Sequence, residues 1–134
     1  MSLLFRLAVR EDVPVLVAML ADDMLGAQRE VVSDPPAPAY FAAFDAVAQN
    51  PHENLVVAER EGEIVGCGQL TVLHGLSRQG MARGQIEAVR VASTARGGGI
   101  GEALVSDLID RARVAGCGLV QLTSDARRDR AHAF

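Results

Sequence analysis

No lysine occurs anywhere in this sequence; all 13 basic residues are arginine. That absence removes a Schiff-base lysine, a lysine general base and the lysine of a Walker-type phosphate loop from the available chemistry. A basic excess is missing too. With 17 acidic residues the net charge is -4, which argues against a nucleic-acid partner, and the C-terminal arginines are interleaved with Asp125 and Asp129 as on a solvated face. No apolar run reaches membrane-spanning length, and no basic region followed by an apolar stretch opens the chain, so neither a membrane partner nor a signal peptide is expected. No His, Cys, Asp and Glu cluster has ligand spacing, so no metal is expected. The two cysteines, Cys67 in "VGCGQL" and Cys117 in "AGCGLV", sit in apolar contexts beside glycine. Such contexts suit small buried thiols better than ligands or a redox pair, and they fit a reducing cytoplasm.

What is present reads as one domain over 1–134, the size prior for this length. "LLFRLAV" alternates as a first strand, and "EDVPVLVAMLADDML" puts Val13, Leu16, Val17, Leu20 and Met24 on one helical stripe. Glu11 and Asp12 suit the positive end of that helix, and Pro14 is tolerated in its first turn. "SDPPAPA" is a loop. "YFAAFDAVAQ" spaces Tyr40, Phe41, Phe44 and Val47 as a helix, either as core or as the wall of a substrate site. "NLVVAEREGEIVGCGQLTVL" predicts a β-hairpin turning at Arg60 to Glu63. After a second loop, "HGLSRQGMARG", the strand "QIEAVRV" alternates Gln85, Glu87, Val89 and Val91 against Ile86, Ala88 and Arg90. Ile100, Leu104, Leu108 and Ala112 then mark a helix stopping at Ala115-Gly116, followed by a strand "LVQLTSD" and a helix beginning in "ARRDRAHAF". This order predicts an α/β, α+β layered domain with a mixed sheet.

The unusual feature is "RVASTARGGGIGEAL". Arg96-Gly97-Gly98-Gly99-Ile100-Gly101 lies between a strand and a helix N-terminus, where unpaired N–H groups and the helix dipole favour an anion. A nucleoside triphosphate loop would need lysine after its last glycine, where Glu102 stands. A dinucleotide fingerprint would follow a buried apolar strand directly; here Ser93, Thr94 and Ala95 intervene, and the strand carries Glu87 and Arg90.

The third anion is coenzyme A. "IEAVRVASTARGGGIGEAL" resembles the central motif of the GNAT superfamily of N-acetyltransferases, Arg/Gln-x-x-Gly-x-Gly/Ala opening a helix after a strand and short loop. The hairpin before it and the strand after it keep the family order over essentially the whole chain. The resemblance implies a mostly antiparallel sheet splayed beside the glycine-bearing strand, with acetyl-CoA as cosubstrate. It implies that backbone groups of Val89, Arg90 and Val91 hold the pantetheine arm, and that N–H groups from Arg96, Gly97, Gly98, Gly99, Ile100 and Gly101 take the pyrophosphate. Glu87 occupies the position where several members carry the general base, two residues before the thioester-binding backbone. An ion pair with an arginine is the other reading of Glu87.

The implied activity is direct acetyl transfer to a primary amine of a small molecule, with an arginine-rich run similar to that of aminoalkylphosphonate acetyltransferases. Gln69, Thr71, Gln121 and Thr123 are candidates to line the acceptor cleft. A non-catalytic acyl-CoA sensing module and a peptide N-terminal acetyltransferase are the alternatives. Ala131-His132-Ala133-Phe134 matches the family pattern up to the residue before its tyrosine, so truncation is expected, with the last two strands missing. His132 reads as a surface residue, and an open sheet edge would invite a homodimer.

Overall fold

The computed structural model describes residues 2–122 and the backbone of 130–133. The order is β1 (Leu4–Leu7), α1 (Val13–Ala21), α2 (Met24–Arg29), α3 (Pro38–Gln49), β2 (Glu53–Arg60), β3 (Glu63–Leu73), the single turn α4 (Ser77–Gly80), β4 (Ala82–Val91), α5 (Ile100–Val114), β5 (Cys117–Leu122) and β6 (Arg130–Ala133). The strands form one sheet in the order β1-β2-β3-β4-β5-β6, antiparallel except for the parallel pair β4 and β5. The parallel step follows from the helical crossover through α5. This is the mixed α/β layered fold that the element order predicts, mostly antiparallel as the resemblance implies.

The four-residue apolar repeat of α5 is buried throughout, and Leu104, Leu108 and Ala112 pack against Val56, Leu70, Ile86 and Val120 of the sheet. The opposite face of the sheet carries α1, whose Leu16 and Met19 pack on Val57 and Cys67. Both cysteines are buried and unpaired, as their apolar contexts predict.

Three expectations are corrected. The first helix does not run on to Met24: it ends at Ala21, and the chain restarts after Asp23, whose carboxylate accepts from the Gly26 N–H as a cap. Two adjacent acids that favour caps over helix interiors make that break. The stretch expected to begin a helix at the C-terminus instead places Arg130–Ala133 as a strand antiparallel to β5, with Leu119 opposite Ala133 and Val120 opposite His132. Pairing there satisfies the backbone groups that β5 would otherwise leave open at the sheet edge. The third correction concerns β4 and defines the site.

Candidate active site

Strand β4 does not alternate evenly. Gln69 lies opposite Glu87 and Cys67 opposite Arg90, so two residues of β4, Ala88 and Val89, oppose the single Gly68. This is a β-bulge, and Ala88 takes a left-handed backbone at φ 54°. The side chains therefore switch partners. Val89 and Val91 join Ile86 against the α5 core, while Ala88 borders the α1 and α3 face. Even alternation, which grouped Glu87 with Val89 and Val91, is overturned by the extra residue. Glu87 shares its face with Gln69, its direct cross-strand partner.

The second feature is a parting of strands. β4 pairs with β5 only from Ala82 to Ile86, so among the described residues no strand covers the β5 side of Glu87–Val91. Among the described residues that side of the stretch is an open slot beside the backbone of Val89 and Val91. Next to it, Arg90 donates from Nη1 to the Val89 carbonyl at 3.0 Å, and its Nε lies 3.4 Å from Asp23.

The slot leads into the glycine loop. Gly97 and Gly99 have φ of 87° and 77°, left-handed values that cost other residues about 1–2 kcal/mol. Gly99 is the N-cap of α5, and among the described residues no side chain caps the helix, so its first N–H groups lack a side-chain acceptor there. A backbone without Cβ atoms, facing an uncapped helix end, fits an anionic diphosphate. The Arg96 side chain turns toward α1. Its guanidinium is 3.6 Å from the Asp22 carboxylate and donates to the Asp22 carbonyl (3.3 Å) and the Val91 carbonyl (3.3 Å). It ties the loop to the end of α1 rather than lying over the glycines.

The third feature is a polar row on the α1 and α3 face. Glu53, Thr71, Gln85 and Gln121 stand directly opposite one another across β2, β3, β4 and β5, with Gln69 and Glu87 forming the next pair. Thr71 Oγ1 and Gln69 Nε2 both donate to Glu53, the latter at 3.4 Å.

Against this geometry stand the comparisons with known proteins. The family profile described as the Acetyltransferase (GNAT) family matches residues 17–134. The chain belongs to the GNAT acetyltransferase family. A glucosamine 6-phosphate N-acetyltransferase of Trypanosoma brucei brucei is 41% identical over 66 residues, which is 49% of this chain and 45% of that protein. Glucosamine 6-phosphate N-acetyltransferase 1 of Oryza sativa subsp. japonica is 29% identical over 109 residues, 78% of this chain and 66% of that one. The matches thus span less than two thirds of the length of these curated relatives. Among solved structures, a transcriptional regulator from Bacillus halodurans C-125 is similar with a TM-score of 0.90 and 42% identity, covering 95% of this chain and 85% of that one.

Within this GNAT site the structure brings together Glu87, Gln69, Thr71 and Gln121 on one face, and the backbone of Val89, Arg90 and Val91 with the loop from Arg96 to Gly101 along one path. Thr123 lies outside the described residues. Sequence reasoning missed Glu53, which anchors Thr71 and Gln69. It also left α3 undecided. No α3 residue is fully buried, and Tyr40, Phe44 and Val47 line a pocket with Leu16, Val17 and Leu55. That helix is a wall, with the aromatic spacing as its signal.

Cys67 borders that pocket with the only thiol among the described lining residues. Burial pushes its pKa up to about 11, which leaves a neutral thiol at physiological pH. A neutral, 2% exposed thiol is a poor acyl acceptor.

Proposed function

We propose that this GNAT protein transfers the acetyl group of acetyl-CoA to a primary amine of a small molecule by direct attack, in the cytoplasm. The observation that carries the reading is the bulge at Ala88 next to an unpaired strand edge that runs into the uncapped, glycine-lined start of α5. On this reading the N–H at Val89 donates to the thioester oxygen as negative charge develops there, and the N–H groups from Arg96 to Gly101 hold the diphosphate. The amine lone pair attacks the thioester carbon, the C–S bond breaks, and the sulfur leaves with its electron pair and takes a proton. Glu87 removes the ammonium proton through a water, as the carboxylate of β4 on the acceptor face.

Direct transfer is favoured over a covalent acyl-cysteine by the neutral state of Cys67. The names of the curated relatives support a small-molecule amine as acceptor. The test is Glu87→Gln, followed by release of the free coenzyme thiol and by calorimetric acetyl-CoA affinity. Turnover is expected to fall by roughly 10²–10⁴-fold at unchanged affinity. Unchanged turnover would remove Glu87 from the mechanism, and coenzyme binding without turnover in the parent protein would favour a sensing module.

A further inference from the structure

The pocket beneath α3 has a composition that the sugar phosphate named in the curated relatives does not match. Its volume is about 140 Å³, and among the described residues no charged side chain lines it. Val17, Phe44, Val47 and Leu55 form its walls, with Ala88 of the bulge on one side and Gln69 beside it. A phosphate and several hydroxyls placed there would meet only Gln69 and the Tyr40 hydroxyl, which is already engaged by Glu30 and the Val31 N–H, too few partners to replace their water. A cavity of that order accommodates a group about the size of a benzene ring.

The polar surroundings of the pocket complete the description. Gln69 borders the pocket, donates to Glu53 and stands opposite Glu87, so the apolar wall meets two carboxylates at one residue. Ala88, also in the wall, immediately precedes the backbone N–H assigned to the thioester oxygen. An apolar hollow with acids at its margin and the reacting position beside it is complementary to a cation with a small hydrophobic body.

We propose that the acceptor is a primary amine carrying one compact apolar group, an aromatic ring or branched alkyl chain, seated in this pocket with its ammonium toward Glu87 and Glu53. The proposal rests on the acetyltransferase reading above and names the substrate class of that site. Glu53, held by Thr71 and Gln69, is then a specificity residue for the positive charge.

The experiment compares 2-phenylethylamine, ethylamine and glucosamine 6-phosphate as acceptors for the full chain, alongside acetyl-CoA binding by calorimetry. It is repeated in Val47→Phe, which fills the pocket from a helix that has no fully buried residue. The expected result is kcat/KM for 2-phenylethylamine at least about tenfold above either other amine, the scale on which apolar pockets discriminate. Val47→Phe should raise its KM about tenfold while acetyl-CoA affinity holds. A preference for glucosamine 6-phosphate or ethylamine, or an aryl preference untouched by Val47→Phe, overturns the pocket assignment and leaves the acetyltransferase reading standing. Absence of both acetyl-CoA binding and transfer overturns the two together.

Discussion

Asp12 is 7% exposed and holds the entry to α1 by accepting from the Val9 N–H at 2.8 Å and from both terminal nitrogens of Arg6, at 2.8 and 3.2 Å. Arg6 also reaches Glu59 on β2 at 3.4 Å, so one arginine pins the first helix to the sheet. The Arg6 hydrogen bonds hold the Asp12 carboxyl below its ordinary pKa, against the opposing effect of burial. A depressed folded value means that the stabilisation is fully present above the unfolded pKa of about 3.9 and is lost as pH falls toward and through the folded one. Asp12→Ala is expected to lower stability by about 2 kcal/mol in urea denaturation at pH 7, discounted because Arg6 is 30% exposed. The deficit should shrink below about pH 4; a deficit that persists at low pH would show that packing, not the ion pair, is what the substitution removes. Cys67 yields a second residue-scale prediction. At pH 7 the folded protein should resist iodoacetamide at Cys67 and label there in denaturant, read by peptide mass spectrometry. Rapid native labelling would show a thiolate and reopen a covalent route.

At the scale of elements, the bulges decide which side chains meet. Glu61 and Gly62, at φ 54° and 81°, make the two-residue hairpin turn that the sequence signals, and Arg60 pairs with Glu63 as that turn requires. Counting outward from the turn places Glu53 opposite Leu70, on the wrong face. A register shift beyond Glu59 moves Glu53 to Thr71 instead, and a one-residue slip exchanges the two faces of a strand. That is why Glu53 escaped sequence reasoning although the hairpin did not. The bulge in β4 hid in the same way, yet Gly68 inside an apolar strand was a usable signal. A Cβ there would lie 2.8 Å from Leu108 Cδ1 and 3.3 Å from Val89 Cγ2. Gly68→Ala should therefore cost about 1–3 kcal/mol by overpacking and weaken acetyl-CoA binding severalfold by displacing the bulge. Gly75→Ala, with nothing within 4 Å, should change neither. Equal effects from the two substitutions would detach the bulge from coenzyme binding.

Across the whole molecule, local signals survived where tertiary contacts agreed with them. The α5 stripe, the hairpin and the two buried cysteines follow from periodicity and turn chemistry, because burial and local preference coincide there. The site was legible only in outline. Gly97 and Gly99 marked a candidate anion loop by composition, but the orientation of Arg96 toward Asp22 depends on residues 74 positions apart. Local preference likewise did not foresee the pairing of Arg130–Ala133 with β5, since an open strand edge is a property of the assembled sheet.

The central claim is that the open edge of β4 and the loop from Arg96 to Gly101 form a coenzyme A cradle. Calorimetric titration of acetyl-CoA into this chain, with NAD as control and Gly99→Val as the altered cradle, tests it most directly. Binding of acetyl-CoA alone at micromolar levels, weakened at least about tenfold in Gly99→Val, is the predicted result, since the substitution strains a left-handed position and crowds the backbone approach. No binding, or equal binding by the variant, would return the glycines to a structural turn and contradict the account.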